Sequence, residues 1–336
     1  MDLKLLERTL EEFGEPAYRT RQIWKWAAHG AARFEEMTDL PRGLRTKLSD
    51  AVPFSTLTVE HEARAADGTV KVLFRTRDRR PVEAVLMRYR DGRRSVCISS
   101  QSGCPLTCSF CATGQMRFAR NLTGAEIVDQ VLHFRRLERL DHAVFMGMGE
   151  PLLNLEQVLA ACAALPEVGI THRRTAISTV GWIPGIERLA DEQMPLRLAL
   201  SLHAADSALR SELMPVNERY PIPAVLDACQ RYFQRKRRKV FVEYVMLGGI
   251  NDSHAQADQL AELLDPRVFK VNLIPYNPTR SGYRGSSAKA IAAFKSVLDR
   301  RGLPCTVRLT RGREIDAACG QLAVRERTPL ASARAV

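Results

Sequence analysis

The spacing of apolar residues divides this chain into three stretches. Residues 1 to about 50 carry leucine, isoleucine and tryptophan at helical spacing, with breaks at Gly14 and Gly30, and so predict helices. From Thr56 to Tyr89 the period becomes two. The segments TLTVEHEA and TVKVLFRT flank Ala66–Gly68, which predicts a β-hairpin, and VEAVLMRY predicts a third strand.

Beyond residue 92, strand-like and helix-like segments alternate. The strand-like segments are apolar and β-branched, as in a parallel sheet: RSVCISS, HAVFMGMGE, RRTAISTVG, LRLALSLHA, KVFVEYVML and VFKVNLIPY, with PCTVRLTR as a candidate last strand. Two of the helices between them begin with a predicted capping box, Thr123 with Glu126 and Ser253 with Gln256. Six β-α units predict an α/β fold, an open and partial (β/α)6 barrel, because the closed barrel has eight. We expect its site at the carboxyl ends of the strands.

These changes of pattern predict four segments. We expect a helical accessory domain at residues 1–50, a β-rich connecting segment at 51–92, the barrel core at 93–313 and a C-terminal segment at 314–336. The tail after Leu322 is rich in arginine and short of large apolar residues, which predicts a loose end.

Composition indicates a globular protein with an excess of positive charge. The chain has 336 residues, of which 45% are apolar and 26% charged. No apolar run reaches about eighteen residues and the N-terminus lacks a signal-peptide pattern, so we expect a cytoplasmic protein with no membrane span. A monomer is the simplest expectation. The net charge of +12 and the pI of about 9.6 fit either a well-solvated basic surface or a polyanionic partner such as RNA.

Four of the eight cysteines lie within the stretch SVCISSQSGCPLTCSFCATG. Cys104, Cys108 and Cys111 have the spacing C-x3-C-x2-C, and Cys97 stands apart upstream. In a reducing compartment such a group favours an inorganic centre over disulfides. Three thiolates can hold an iron–sulfur cluster and leave one iron open, whereas a structural zinc site wants a fourth protein ligand, and none follows at regular spacing.

A glycine-rich turn follows the next predicted strand, in AVFMGMGEP. Gly147 and Gly149 would let the backbone approach a ligand closely, and Glu150 could accept hydrogen bonds from an ammonium group. Glycine after a strand is common, so this signal is weak by itself.

Both motifs resemble known ones. GCPLTCSFCATG is similar to the cluster loop of the radical S-adenosylmethionine superfamily, in which three cysteines hold a [4Fe-4S] cluster and the cofactor's methionine moiety occupies the open iron. GMGEP resembles the superfamily turn that binds the cofactor's amino group. Together with ISTVG, ALSLHA, NLIPYNP and TRGREIDAACGQL, these motifs resemble the adenine-C2 RNA methyltransferases of the RlmN family, over about Leu3 to Leu322.

The resemblance implies roles for three further residues. Cys319 would be methylated and carry the new carbon, Cys97 would later form a disulfide with it, and Glu83 would be the base that takes a proton from the adduct. Without the resemblance, Cys97 and Cys319 fit buried packing positions and Glu83 fits a solvated strand position.

The resemblance also implies a set of cofactor contacts. Each residue of the set ends a predicted strand, where a barrel collects its polar groups. Beside Gly149 and Glu150, the set comprises Ser178, Ser201, Leu202, His203 and Asn277. Taken alone, His203 would more often be a satisfied structural histidine.

The implied activity is methylation at C2 of an adenosine in 23S rRNA and of an adenosine in the anticodon loop of certain tRNAs. It would consume two molecules of S-adenosylmethionine and need an external electron donor such as a flavodoxin or ferredoxin. The alternatives are the sister activity at adenine C8, a zinc-stabilised RNA-binding module without catalysis, and a radical enzyme acting on a small metabolite or protein.

Overall fold

The structure, a computed structural model, describes residues 1–279 and 281–323. Residues 324–336, which make up nearly all of the predicted loose tail, lie outside the described residues. The described part of the chain contains α1 (Leu3–Glu12), α2 (Tyr18–Ala28), α3 (Arg42–Ala51), α4 (Gly124–Leu137), α5 (Leu155–Val168), α6 (Ile183–Asp191), α7 (Ser207–Leu213), α8 (Ile222–Lys236), α9 (His254–Leu263) and α10 (Ala288–Arg300). Short 3-10 helices cover Phe34–Glu36, Thr113–Gln115, Pro151–Asn154, His172–Arg174, Pro215–Glu218 and Arg313–Ile315. None of these described helices is long and apolar enough to cross a membrane.

The strands form one large sheet and a two-stranded one. They are β1 (Leu57–Arg64), β2 (Val70–Thr76), β3 (Pro81–Arg88), β4 (Arg94–Cys97), β5 (Gln101–Ser102), β6 (Arg120–Asn121), β7 (His142–Phe145), β8 (Thr175–Thr179), β9 (Arg197–Ser201), β10 (Val240–Met246), β11 (Phe269–Pro275) and β12 (Cys305–Val307). In the large sheet the order is β1-β2-β3-β4-β7-β8-β9-β10-β11-β12, and β5 pairs with β6.

The large sheet has an antiparallel edge and a parallel remainder. β1 to β4 are joined by antiparallel pairing, and β4, β7, β8, β9, β10, β11 and β12 run parallel. Helices connect the parallel strands, so the predicted α/β architecture of successive β-α units is confirmed. Within the described residues the sheet does not close into a barrel, as expected for six units. The predicted hairpin is the β1–β2 pair, and β3 is the predicted third strand.

Local sequence signals fix the starts of two crossover helices. At α4, the Thr123 hydroxyl accepts from the Glu126 N–H (3.2 Å), and the Glu126 carboxylate accepts from the Thr123 N–H (2.9 Å). At α9, Ser253 and Gln256 make the same reciprocal pair at 3.2 and 3.0 Å. Both predicted capping boxes are therefore confirmed. Each one satisfies backbone donors that a helix start leaves unpaired.

The N-terminal helices pack on the outside of the parallel sheet's own helices. α2 contacts α4 and α5, and Ile23 and Trp24 are buried in the common core. Asp129 of α4 accepts hydrogen bonds from the backbone and hydroxyl of Thr56 at 2.6 and 2.7 Å and pairs with the Met1 ammonium group. These contacts join the helical region to the sheet. The domain boundaries themselves stay a prediction.

Replacing Thr123 by alanine should destabilise the protein through α4. We expect Thr123→Ala to lower the free energy of unfolding by about 1 kcal/mol, because the start of α4 loses its cap. The exposed Thr46 of α3 provides the control, since Thr46→Ala should change stability by less than about 0.5 kcal/mol. Denaturant unfolding of both variants measures the difference, and equal stabilities would contradict this account of the cap.

Candidate active site

The cavity that gathers most of the predicted site residues, which we call the principal cavity, lies at the carboxyl ends of the parallel strands. Its volume is about 150 Å³. Ser178 and Thr179 reach it from the end of β8, Ser201 from the end of β9, and Met146 and Gly147 from just beyond β7. Parallel strands present their loops at this edge, so one cavity gathers side chains that are far apart in the sequence.

The three-cysteine loop covers one side of this cavity. It is tightly wrapped: a Cβ at Gly114 would lie 2.8 Å from the Cys108 carbonyl oxygen, so only glycine fits there. The Cys111 N–H donates to the Cys108 carbonyl (3.2 Å), and the Ala112 N–H donates to the Gly320 carbonyl (2.8 Å). The loop is therefore held both by itself and by the C-terminal segment.

The three thiols of this loop lie close enough to affect one another's ionisation. Burial raises the pKa of Cys104 to about 12 and also raises the pKa values of Cys108 and Cys111. For Cys108, the neighbouring thiols of Cys111 and Cys104 raise the pKa further. All three are free of disulfides, and Cys111 lines the cavity. Three free thiols, of which Cys108 is buried and the other two are partly buried, lie beside a ligand-sized space and fit a cluster with one open iron.

The thiols are not arranged as ligands of one ion. Among the described residues, no three His, Cys, Asp or Glu side chains are placed to hold a single metal ion. In an iron–sulfur cluster each thiolate binds its own iron, so three cysteines need not converge on one point.

The glycine-rich turn after β7 brings a carboxyl group to the cavity. Gly149 has φ +95°, and a Cβ there would lie 2.5 Å from the Gln101 side chain, so both conformation and space require glycine. Glu150 accepts from the N–H groups of Leu152 and Val180, both at 3.0 Å. Burial raises the pKa of the Glu150 carboxyl to about 7, although these N–H groups lower it. The site thus holds a desolvated carboxyl group whose charge a bound ammonium would favour.

Ser178, Ser201 and His203 line the same cavity. The two serine hydroxyls are 3.3 Å apart. His203 has φ 62°, a conformation that costs a non-glycine residue about 1 kcal/mol or more. Its Nδ1 accepts from the Val245 N–H at 3.0 Å, and burial lowers the pKa of the imidazole to about 3. The ring packs edge-on to Phe110, with centroids 4.8 Å apart.

Leu202 and Asn277 are placed differently from these three. The Leu202 side chain is fully buried in the hydrophobic core, so only its backbone could meet a ligand. Asn277 lines a second, smaller cavity of about 30 Å³ and donates to the Cys319 carbonyl at 3.2 Å. Its Oδ1 is buried and has no hydrogen-bond partner among the described residues.

Cys97 and Cys319 meet at the smaller cavity. Cys97 ends β4, Cys319 lies in the C-terminal segment, and both line this space. Burial raises the pKa of Cys97 to about 12, and the neighbouring Cys319 thiol raises it further. Cys319 also lines the principal cavity. The fold therefore brings together the two cysteines that the sequence separates most widely among those with predicted roles.

Glu83 lies on β3, outside the lining of both cavities. Alternation along β3 places it on the same face as Val85 and Met87, which pack in a buried cluster with Cys97 and Ala317. The side chain of Glu83 is 4% exposed, and burial raises the pKa of its carboxyl. The solvated alternative for this glutamate is wrong, because the C-terminal segment covers that face.

Three charged residues near the site were not predicted; Glu243 and Arg210 are buried and Arg308 is partly buried. Arg308 lines both cavities, and the Cys319 thiol and Glu243 raise its pKa. The side chain of Glu243 is 4% exposed, with Oε2 3.7 Å from Arg308 Nη1. Arg210, fully buried, donates to the carbonyls of Val180 (2.6 Å) and Leu202 (3.2 Å), just beyond the ends of β8 and β9. A charge inside an apolar strand, as in KVFVEYVML, was the available signal for Glu243.

Comparison with known proteins identifies the class of enzyme. A profile of the Radical SAM superfamily matches residues 98–261, the region of the cysteine loop and parallel strands. A crystal structure of a radical SAM methyltransferase from Sphaerobacter thermophilus superposes with a TM-score of 0.89 and 45% identity, over 96% of this chain and 97% of that chain. The fold and the cysteine loop are those of a radical SAM enzyme, a class that carries a [4Fe-4S] cluster and uses S-adenosylmethionine.

More specific matches cover nearly the whole chain. Residues 1–53 match the Ribosomal RNA large subunit methyltransferase N-terminal domain. A probable dual-specificity RNA methyltransferase RlmN from Heliobacterium modesticaldum is 45% identical over 93% of this chain and 86% of its own length. The dual-specificity RNA methyltransferase RlmN of an Anaeromyxobacter species is 43% identical over 96% and 89%. The chain belongs to the RlmN family.

The charge of Glu150 should control cofactor affinity. In Glu150→Gln we expect S-adenosylmethionine to bind about 10- to 100-fold more weakly to the cluster-loaded enzyme, since a charged hydrogen bond is lost. Affinity of the native enzyme should also fall as pH drops through about 7, because the raised pKa lets the carboxyl take up a proton there. Anaerobic equilibrium binding measures both effects. The exposed Glu156 supplies the control, Glu156→Gln, and matching affinities of the two variants would contradict the assignment.

Proposed function

We propose that this chain methylates C2 of a specific adenosine in 23S rRNA and of an adenosine in the anticodon loop of certain tRNAs. The observation that carries the proposal is the position of Cys319, which lines both the principal cavity and the smaller cavity that contains Cys97. A methyl carrier must reach its methyl donor and, later, the thiol that releases it from the product. Family membership supplies the substrate class, since the curated relatives are named dual-specificity RNA methyltransferases.

The chemistry of the base explains why a thiol carrier is useful. C2 of adenine is electron-poor and its C–H bond is not appreciably acidic, so an ordinary sulfonium methyl donor does not alkylate it. When bound, the cluster and S-adenosylmethionine together supply a carbon radical, which is reactive enough for such a position. Cys104, Cys108 and Cys111 would hold the cluster, and Gly149, Glu150, Ser178, Ser201, His203 and the Leu202 backbone would hold the cofactor.

Three residues handle the carbon after it is transferred. Cys319 carries it and becomes joined through sulfur to the base. Glu83 takes a proton from the adduct, and the cluster, when bound, would supply the acceptor for the unpaired electron that radical addition leaves on the base. Cys97 attacks the sulfur of Cys319 as its own thiol proton leaves: the S–S bond forms, the S–C bond breaks, and the electron pair stays on carbon, which takes up a proton. Asn277, bonded to the Cys319 carbonyl, orients this carrier.

A basic opening at the other end of the parallel strands fits an RNA substrate. A cavity of about 460 Å³ lies there, lined by Arg93, Arg174 and Arg197. Arg93 lies over the Tyr89 ring, 4.2 Å from its centroid. This cavity shares Met146, Glu243 and Arg308 with the principal cavity. Arginines with aromatic rings suit phosphates and unstacked bases, so a flipped adenosine could reach the thiols from this side.

Further parts of the proposal concern partners and setting. Two molecules of S-adenosylmethionine are consumed in each methylation, because methylating Cys319 and generating the radical each use one. An external electron donor such as a flavodoxin or ferredoxin reduces the cluster. The enzyme acts in the cytoplasm as a monomer.

The alternatives are less well supported. The sister activity at C8 would use the same cysteines, but the relatives bear the RlmN name and the first 53 residues match that family's N-terminal domain. A zinc-stabilised binding module would leave the cavity between the cysteine loop and Glu150 without a use, and the chain belongs to a family of enzymes. A small metabolite or protein substrate would leave the basic opening without a partner.

Removing the carrier thiol tests the proposed function. In Cys319→Ala we expect cofactor cleavage to 5′-deoxyadenosine to continue while RNA methylation falls below detection, because the cleavage site is intact and the carrier is gone. The measurement is mass spectrometry of nucleosides from a treated 23S rRNA transcript, which also separates 2-methyladenosine from 8-methyladenosine. Cys305→Ala, at a buried cysteine of β12 away from both cavities, should retain methylation. Methylated RNA from Cys319→Ala would overturn the carrier role, and 8-methyladenosine from the native enzyme would select the sister activity.

Removing two arginines tests the RNA approach. We expect Arg174→Ala with Arg197→Ala to weaken RNA binding and to reduce the slope of log affinity against log salt by about 2, or roughly one per phosphate contact. The outward-facing pair Arg188→Ala with Arg300→Ala is the control of equal charge change, and it should leave the slope near that of the native enzyme. Filter binding across a salt series gives both values. Equal slopes for the two double variants would place the RNA elsewhere.

A further inference from the structure

Lys71 links two parts of the site, Glu83 and the loop that leads to Cys319. Its Nζ lies 3.1 Å from Glu83 Oε1 and donates to the Asp316 carbonyl at 3.2 Å. Glu83 is the proposed base, and Asp316 lies in the loop that leads to Cys319. The side chains of Lys71 and Glu83 are 13% and 4% exposed. We propose that Lys71 is a positioning residue that keeps Glu83 ionised and aligned with the Cys319 loop; this rests on the proposed function.

Strand pairing explains how Lys71 reaches Glu83. Lys71 on β2 pairs with Val85 on β3, while Glu83 pairs with Leu73, so Lys71 and Glu83 are diagonal neighbours across one antiparallel pair. A long side chain spans such a diagonal. The contact is therefore built into the register of the sheet and does not depend on a mobile surface chain.

The two oxygens of Glu83 are in different environments. Oε1 is held by Lys71, whereas Oε2 is buried and has no hydrogen-bond partner of normal geometry among the described residues. The backbone N–H of Ala323 lies close enough to the carboxyl to lower its pKa. Other buried acceptors are usually paired, so an unpaired one needs an explanation. The oxygen without a partner is the one that can take a proton. In the step proposed here, Oε2 takes the proton of the C2–H bond of the adduct, the electron pair of that bond stays in the base, and Lys71 keeps all its protons. The bound cluster would supply the acceptor for the unpaired electron that radical addition leaves on the base.

The charges around Glu83 oppose one another. Burial raises the pKa of the carboxyl, and the carboxylate of Asp316 also raises it. The charge and hydrogen bond of Lys71 lower the pKa, as does the N–H dipole of Ala323. A desolvated carboxyl group would otherwise tend to stay protonated and could not act as a base. Lys71 offsets this tendency.

The turn between β1 and β2 also holds the loop that leads to Cys319. Asp67 accepts from the Gly312 N–H at 3.1 Å and lies 3.7 Å from Arg311, and the Ala66 N–H donates to Glu314. A Cβ at Gly312 would lie 2.7 Å from the Thr69 side chain, so the fit is close. These contacts dock the loop without touching Glu83. Asp67 thus offers a way to loosen the loop while leaving the charge beside Glu83 in place.

The test compares Lys71→Met and Lys71→Arg in cluster-loaded enzyme that already carries the methyl group on Cys319. Methylation of a 23S rRNA transcript is followed in single turnover from acid to alkaline pH. Without the cation the pKa of Glu83 rises. The acid limb of the profile, where the methylation rate falls as the pH is lowered, should therefore lie about one pH unit or more higher in Lys71→Met. Lys71→Arg should keep the native profile, because the charge is retained. Lys295→Met on exposed α10 is the matched control and should also keep it.

Two further measurements separate charge from structure. Infrared difference titration should show the carboxyl band that Glu83→Gln removes titrating at higher pH in Lys71→Met than in the native enzyme. Asp67→Ala should speed alkylation of Cys319 but leave the acid limb in place. An unchanged limb and band in Lys71→Met, or a limb displaced equally in Asp67→Ala, would overturn the proposal. If native enzyme methylates RNA normally in that case, the inference alone fails; if native enzyme methylates no RNA, the proposed function fails.

Discussion

Docking of the C-terminal segment against the edge of the parallel sheet is the interaction on which the site depends. It buries Ala317 and Leu322 against the face of β3 and β4 that carries Val85 and Cys97. It also pins the cysteine loop, through the bond from Ala112 to Gly320. Without this docking, neither the pair Cys97 and Cys319 nor the cysteine loop would be held in place. The antiparallel strands β1–β3 matter for the same reason, because they form the wall and the turn against which the segment lies.

The interior of the open barrel is polar, in contrast to a filled eight-stranded barrel. Glu243, Asn272 and Thr306 form a hydrogen-bonded row, with Asn272 donating to Glu243 at 2.9 Å and accepting from Thr306 at 2.6 Å. Arg308 lies 3.7 Å from Glu243 at the end of this row and lines the smaller cavity with Cys97 and Cys319. This row runs from the exposed Thr306 to the buried Glu243, whose Oε2 has no hydrogen-bond partner among the described residues. It separates a cofactor side, which holds a desolvated carboxyl group, from a basic side suited to phosphates.

Local signals in the sequence were sufficient for much of this architecture. Thr123 and Ser253 were identifiable as helix caps because capping involves residues three positions apart. The β-α alternation predicted the parallel sheet because its strands are apolar on both faces. Gly149 and the cysteine loop were recognisable from short motifs, because the residues of each motif lie close together in the sequence.

Residues whose role depends on distant partners were harder to predict. Glu83 reads as an outward-facing strand residue until the C-terminal segment covers it, and Lys71 is an ordinary lysine until register brings it beside Glu83. Arg308 follows a short strand and carries no motif of its own.

The backbone strain at His203 has a consequence for the cofactor cavity. Because Nδ1 accepts from Val245 and the imidazole pKa is about 3, the ring is neutral and its proton must be on Nε2. The left-handed conformation accompanies this placement, and the hydrogen bond from Val245 fixes one tautomer. The cavity wall thereby contains a hydrogen-bond donor whose polarity stays the same across the physiological pH range, a property that histidine rarely offers elsewhere.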